Sequence, residues 1–333
     1  MPVNVNRIAL ICFVFLTTLY AQDGLRVQPY LFLSTYDKSF KDKDQGIGVY
    51  GSYKDGVSEW KFGAEYKSTT YSSSLDFLNP DSNETTPPDT NETTPPDTNE
   101  TAVYQGVTDT NETNETFNNY DNYQGSVIIG YSRKLTQHVV FDATFHYTLS
   151  DLEQADKNKV FFGALSYYNP YSYNIGMEVA YSIYNDKSLA NDVMQFTPYF
   201  ASWFGEPGSL VGRIYYKLAY YYIIPFQENV TLKDSYSHFK VSFFQNTENF
   251  INELAFSFGE GINLVEDKGF TVHGDNTISD KSFLFSSTYK VDDMISVRGA
   301  YIYENYSEYN PVLTLYTDSV KMSRFIVSAL FRF

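Results

Sequence analysis

The sequence predicts an all-β fold, a transmembrane antiparallel up-and-down β-barrel of about 14 strands. Three observations predict it. Apolar and polar residues alternate along most of the chain, and successive side chains of a strand point to opposite faces. No segment beyond the N-terminus is apolar over the length of a spanning helix, and without such helices only a closed barrel pairs every backbone group in lipid. The connections between strands also alternate between a short and a longer class.

The first element is a predicted secretory signal peptide, residues 1–21. Arg7 precedes the apolar run 8–16, and small or polar residues follow as far as Ala21, where we expect cleavage. The chain has one cysteine, Cys12, which lies in this segment. The predicted mature chain, 22–333, therefore has no disulfide, thiolate metal site or thiol nucleophile.

The rest of the chain divides into fourteen predicted strands, recognised by period-two alternation. The pattern is clearest over 139–150, where apolar residues at odd positions alternate with mostly polar residues at even positions. The first strand starts just after Gly24, so we expect no N-terminal plug or hatch before the barrel. The predicted strands are 25–36, 45–54, 57–70, 123–135, 139–150, 159–168, 172–184, 193–204, 210–222, 235–246, 250–261, 281–290, 295–305 and 319–333.

The last strand ends the chain on an aromatic residue, with apolar residues at every second position and Arg324 and Arg332 on the opposite face. This ending resembles the C-terminal signature of Gram-negative outer-membrane β-barrel proteins, and the architecture is porin-like. The resemblance implies the cell outer membrane as location, contact with its lipid, and recognition by the barrel-assembly machinery. The implied assembly signal is Phe325, Val327, Ala329, Phe331 and Phe333.

The two classes of connection match the short periplasmic turns and long extracellular loops of such barrels. The short class contains turn-forming residues and comprises 55–56, 136–138, 169–170, 205–209, 247–249 and 291–294. The long class comprises 37–44, 71–122, 151–158, 185–192, 223–234, 262–280 and 306–318. Eight-stranded barrels are filled by side chains and sixteen-stranded ones hold a channel, so fourteen strands predict a narrow aqueous pore unless a loop blocks it.

Composition agrees with a membrane barrel and excludes other classes. Tyr and Phe number 31 and 27, and aromatic rings favour the two interfaces of a barrel's lipid band. The formal net charge of −16 argues against a nucleic-acid partner. The oligomeric state cannot be inferred.

Residues 71–122 form a low-complexity acidic segment, predicted to be an extracellular loop. The octapeptide NETTPPDT occurs twice, and each of five N-x-[ST] sequons has an acidic residue two positions earlier. That spacing is similar to the extended acceptor motif of the bacterial N-glycosylation system. Duplication of the octapeptide also copies its sequon, so repeat expansion explains part of the set equally well. The candidate glycosylation sites are Asn83, Asn91, Asn99, Asn111 and Asn114.

We predict that the protein is not an enzyme, and find no catalytic, cofactor-binding or metal-binding motif. His146 and His238 lie on strands, where a structural role is favoured, and no nucleophile is paired with either histidine in the sequence. Zinc, calcium and phosphate-binding motifs are also missing from the sequence.

Charged residues on the polar faces of the strands are candidate pore-lining residues, because a charge facing lipid costs several kcal/mol. Both signs occur, so these groups either filter small polar solutes or pair with one another and hydrate the wall. We expect a channel for passive diffusion of small hydrophilic solutes, including ions. The alternative is a non-conducting surface-display or adhesin-like barrel that presents a glycosylated acidic loop. The candidates are Glu59, Lys61, Glu65, Lys67, Asp142, His146, Glu178, Arg213, Lys217, Lys240, Glu253, Arg298, Glu304 and Arg324.

Overall fold

Fourteen strands form one closed antiparallel barrel in the computed structural model, which describes residues 24–71, 120–151, 156–169, 172–184, 192–205, 212–226, 233–272, 277–310 and 315–333. Each barrel strand pairs with the next one along the chain, and the last strand pairs with the first. The predicted all-β up-and-down barrel is confirmed. Its strands are β1 (Leu25–Asp37), β2 (Lys41–Asp55), β3 (Ser58–Tyr71), β4 (Tyr120–Lys134), β5 (Val139–Ser150), β6 (Asn158–Asn169), β7 (Tyr173–Ile183), β8 (Val193–Phe204), β9 (Arg213–Pro225), β10 (Tyr236–Asn246), β11 (Phe250–Ile262), β14 (Thr277–Lys290), β15 (Ile295–Asn310) and β16 (Leu315–Arg332).

The terminal strand closes the barrel. β16 runs antiparallel to β1, with Phe325 opposite Leu33, and the final residue continues the ladder. The backbone N–H of Phe333 donates to the Leu25 carbonyl at 2.9 Å, and the N–H of Gly24 donates to the Phe333 carbonyl at 2.9 Å. No edge of the sheet is left open where the chain ends meet, as a strand in lipid requires.

Large apolar side chains are exposed on the outward face of the strands all round the barrel. They alternate with inward residues that are buried or face the lumen, as the period of two requires. An exposed apolar belt of this extent matches the lipid-facing surface of a membrane barrel. Examples are Leu31, Ile47, Val127, Phe161, Ile175, Phe256, Phe285, Phe325 and Val327.

Two connections that were predicted to be long are short. β2 begins at Lys41, so the first connection shrinks to 38–40, and the extension of β15 and β16 reduces the last one to 311–314. Glu308 on β15 contacts the first of these connections, and its carboxylate accepts hydrogen bonds from the Ser39 hydroxyl at 2.7 Å and the Phe40 N–H at 2.8 Å. These bonds join the first turn to the end of β15.

The connection after β11, predicted as an extracellular loop, folds into the lumen instead. It contains two short strands, β12 (Val265–Glu266) and β13 (Thr271–Val272), joined by a 3₁₀ turn at Asp267–Gly269. We call residues 265–272 the inner hairpin. Its tip contacts Asp142, the fourth residue of β5, and therefore reaches well below the rim from which it enters. Among the described residues, no helix is long and apolar enough to cross a membrane.

Candidate functional site

The inner hairpin packs against one side of the lumen, the inward faces of β6–β10, which we call the packed side. Ile262 and Leu264 lead into it and are fully buried with Ile223 and the Tyr221 ring. Val265 is buried against a second apolar group on β6 and β7. The connection after β11 was predicted to lie in solvent, and its apolar side chains are instead buried inside the barrel.

Gln195 on β8 anchors the base of the inner hairpin. Its amide nitrogen donates to the Val265 carbonyl at 2.7 Å, and its amide oxygen accepts from the Val265 N–H at 3.0 Å. Both backbone groups of a fully buried residue are therefore satisfied by one side chain, which itself is buried. This pairing adds to the register of Val265 with Val272 across the hairpin, and it ties the hairpin to the barrel wall.

Two lysines of the packed side each pair with one carboxylate. The Lys217 ammonium lies 2.9 Å from Glu178 Oε1 and 4.2 Å from the centroid of the Tyr199 ring. Lys240 lies 3.0 Å from Glu266 Oε2 on the hairpin. These pairs neutralise charge where the hairpin limits access of water, since an unpaired charge there would be costly.

The tip of the inner hairpin is held by a shared carboxylate. Lys268 Nζ lies 2.9 Å from Asp142 Oδ2, and Lys61 Nζ lies 3.5 Å from Asp142 Oδ1. Gly269 follows in the left-handed region at φ +86°, and a Cβ there would lie 3.0 Å from the Phe162 Cβ atom. Glycine is therefore needed at the tip for both conformation and space.

Aromatic rings form the wall that the tip approaches. The Tyr30 and Tyr50 rings stack with centroids 4.9 Å apart, and the Phe270 ring of the hairpin meets Tyr50 edge-on at 5.6 Å. The Tyr30 ring lies over Gly48, where a Cβ would come within 2.3 Å of it, and its hydroxyl donates to Glu65 at 2.6 Å. The inner hairpin therefore bridges the lumen from β8 to β2.

Two arginines project from neighbouring strands. Arg324 lies 3.7 Å from the Asp44 carboxylate, with its guanidinium 5.1 Å from the centroid of the Phe32 ring. Arg298 donates to Glu253 Oε2 at 3.1 Å. Each guanidinium is thereby fixed in place by a carboxylate on the wall.

A cavity of about 640 Å³ remains between the inner hairpin and the inward faces of β1–β5 and β14–β16, which we call the open side, and it extends to Asn158, Val160 and Tyr184. Its lining combines aromatic rings, hydroxyl and amide side chains and many charges. This cavity is the candidate path for a solute, because the inner hairpin packs against the other side of the lumen. The charged lining residues are Arg26, Glu59, Lys61, Glu65, Lys67, Asp267, Lys268, Arg298 and Arg324.

The candidate pore-lining residues are all on inward faces, but they occupy different surroundings. Glu59, Lys61, Glu65, Lys67, His146, Arg298 and Arg324 line the cavity. Asp142 and Glu253 pair with lining cations, and Glu304 is buried and accepts from the Ser279 hydroxyl at 2.9 Å. Glu178, Lys217 and Lys240 belong to the packed side, and the Arg213 guanidinium lies 4.9 Å from the centroid of the Trp203 ring. Their role in a conducting path stays a prediction.

Several residues of the site were not predicted from the sequence. Asp44, Glu266, Lys268 and Phe270 contact the charged or aromatic groups described above, and Asp267 lines the cavity. One signal was available, since Ile262, Leu264 and Val265 make an apolar cluster in a connection assigned to solvent.

His146 is buried in the lining of the cavity, and its imidazole faces the Gly269 backbone at the hairpin tip. Nothing in this arrangement supplies the hydroxyl nucleophile that a histidine-dependent hydrolase needs. Among the residues that the structure describes, no group of three or more His, Cys, Asp or Glu side chains could hold a metal ion. The absence of catalysis stays a prediction.

No protein-family model matches the chain, and no curated protein matches it. Solved structures do match: the toluene transporter TbuX of Ralstonia pickettii has a TM-score of 0.50 and 10% identity, over 94% of this chain and 90% of that one. The toluene transporter TodX of Pseudomonas putida has a TM-score of 0.50 and 12% identity, over 95% and 91%. The chain has the fold of these outer-membrane β-barrels. The predicted resemblance is confirmed at the level of the fold, which is all that identities this low establish. The closed barrel and its exposed apolar belt support the predicted location in the cell outer membrane.

Three predictions lie outside the described residues. They are the signal peptide 1–21, the five sequons between Asn83 and Asn114, and most of the acidic segment 71–122. The predicted assembly signal is described: Phe325 and Val327 are exposed on the outward face, with Ala329, Phe331 and Phe333 partly exposed.

Proposed function

We propose that the chain is an outer-membrane channel for passive diffusion of small hydrophilic solutes, and that the path runs through the open side of the lumen. The observation that carries the proposal is the lining of the 640 Å³ cavity, in which nine charged side chains lie beside hydroxyl and amide groups. Charged rings and clusters of this kind are how pores select polar solutes. A hydrated solute keeps polar partners throughout such a path.

The inner hairpin is the proposed size filter. Fourteen strands at ordinary spacing and tilt enclose a backbone diameter of about 28 Å, of which inward side chains leave roughly half. The hairpin crosses this space from Gln195 to Tyr50. The open side alone then sets the largest solute that passes.

Toluene, the substrate named for TbuX and TodX, does not suit this lumen. An apolar solute would have to displace water from Lys61, Lys67 and Arg324 without offering them a partner, which is costly. The neighbours therefore support the barrel, and the charges of this chain support a hydrophilic cargo.

Single-channel recording of the full mature chain, refolded and inserted into planar lipid bilayers, tests the proposal. We expect discrete conductance steps from the intact protein. A variant in which a Gly-Ser pair replaces residues 265–272 should show steps several-fold larger, because the hairpin no longer divides the lumen.

Deletion of residues 72–119 is the matched control. It removes a larger and more acidic segment that is separate in sequence from the inner hairpin, and we expect conductance to persist. The display function predicts instead that no variant conducts, with or without the acidic segment. Equal conductance of the intact and hairpin-shortened barrels would contradict the filter role while leaving the channel in place.

The terminal strand is the proposed target of the barrel-assembly machinery. Its support is the alternation that exposes Phe325 and Val327 to lipid and ends at Phe333. Phe333→Ala should lower the amount of folded protein recovered from outer membranes several-fold, while refolding into lipid vesicles in vitro proceeds normally. Equal recovery of the variant and the unaltered protein would refute this role.

A further inference from the structure

The charges that line the cavity are unbalanced. Six basic side chains face it and three acidic ones do, so its formal charge is +3. The complete chain has a net charge of −16. Overall charge and local lining therefore predict opposite ion preferences, and the lining decides because its charged groups lie closest to a solute in the cavity.

Two of the carboxylates that pair with these cations lie behind them, whereas Glu253, the partner of Arg298, is 22% exposed. Asp142 and Asp44 have side-chain exposures of 4% and 3%, and neither lines the cavity. Lys61 and Lys268, which both contact Asp142, are 21% and 42% exposed and do line it. A solute in the cavity therefore meets the ammonium groups first.

Two cations share Asp142 beside the hairpin tip, and Glu59, the second acid near them, lies at the longer distance of 4.0 Å from Lys61. On the packed side, in contrast, Lys217 has its own carboxylate, Glu178, at 2.9 Å.

The lining acids do not cancel this excess. Glu65 accepts the Tyr30 hydroxyl, and Glu59 lies 4.0 Å from Lys61. Asp267 accepts the Thr271 hydroxyl within the hairpin. Arg298 and Arg324 are fixed on their carboxylates and keep further N–H groups for a ligand, since a guanidinium has five donors.

We infer that the open side is an anion-selective path, which takes small inorganic anions and small organic carboxylates. This inference rests on the proposed channel function and specifies its solute class. Lys61, Lys67 and Lys268 draw anions into the cavity, and the arginines offer N–H pairs that match a carboxylate. The selectivity is set by charges on the wall and the hairpin tip.

Reversal potentials in a steep KCl gradient test the inference on the full mature chain in planar bilayers. The unaltered channel should pass chloride several-fold better than potassium, and replacement of chloride by succinate should still give anion current. Lys61→Gln leaves Asp142 paired with Lys268, and should lower the chloride-to-potassium permeability ratio about twofold or more. Lys67→Gln should act in the same direction, and it touches no contact of the hairpin tip.

Lys321→Gln is the control, because Lys321 lies 3.7 Å from Asp37 near the rim and does not line the cavity. It removes the same charge and should leave the ratio unchanged. A conducting but cation-selective channel, or equal shifts in Lys67→Gln and Lys321→Gln, overturns the inference and spares the channel function. Absence of conductance overturns both.

Discussion

The packed side and the open side of the lumen use the same kinds of residue in opposite ways. On the packed side Lys217 and Glu178 form a closed one-to-one pair beside Tyr199. On the open side Lys61 and Lys268 share Asp142 and face the cavity. The two lysines are similarly exposed, at 28% for Lys217 and 21% for Lys61, and both carboxylates are 4% exposed. The difference therefore comes from the inner hairpin, which brings a second cation, Lys268, to the carboxylate of the open side.

The largest difference between the two sides should appear when a lysine is removed from the packed side. Lys217→Ala leaves Glu178, with a side-chain exposure of 4%, buried without its ion-pair partner. We expect a loss of about 3–5 kcal/mol in the free energy of unfolding. Urea unfolding in lipid vesicles, followed by tryptophan fluorescence, measures it. A loss of less than about 1 kcal/mol, the value for an exposed pair, would show that water reaches the packed side.

The anchor at Gln195 should give the next largest effect. Gln195→Ala leaves the buried N–H and carbonyl of Val265 without partners, at about 1–2 kcal/mol each. We expect the inner hairpin to detach, so that recordings show openings to the larger conductance of the hairpin-shortened barrel. Gln124→Ala on the open side is the control, since Gln124 lines the cavity and has no contact with Val265. Identical traces from the two variants would argue against an anchoring role.

The third-largest effect should come from a substitution at the tip of the inner hairpin. Gly269→Ala puts a Cβ atom 3.0 Å from the Phe162 Cβ at a residue with φ +86°, which should weaken docking by about 1–3 kcal/mol. The expected readout is a higher frequency of large openings than in the unaltered channel. Gly299→Ala provides the control, because a Cβ there has no neighbouring atom within 4 Å. If the two variants behave alike, the tip is not seated as the structure describes.

The strands and their inward and outward faces could be predicted from the sequence, because alternation of apolar and polar residues with a period of two indicates both. Asp142 and His146 on even positions of β5 must face inward once Phe141 and Phe145 face lipid. The same rule placed Arg298 and Arg324 correctly on the inward face. Local alternation is sufficient here because the medium differs on the two sides of the wall.

The inner hairpin could not be predicted in this way. Its strands have two residues each, too short to show alternation, and its contacts join distant positions such as Gln195 with Val265 and Asp142 with Lys268. The inner hairpin decides which inward charges form ion pairs and which line the cavity. Because the sequence does not show the position of the hairpin, Glu178 and Lys61 were both predicted simply as pore-lining charges. Asp44 was missed because β2 was predicted to begin at residue 45.

The smallest effect on the free energy of unfolding should come from removal of a lysine on the open side. Lys61→Ala leaves Asp142 with the Lys268 ammonium at 2.9 Å, so no buried charge loses its last partner. We expect a change of about 0–1 kcal/mol in the free energy of unfolding, measured by urea unfolding as for Lys217→Ala. If Lys61→Ala instead destabilised the barrel as much as Lys217→Ala, the two sides would be equally dry. In that case the charges of the cavity would be structural, and a hydrated path beside the inner hairpin would be ruled out.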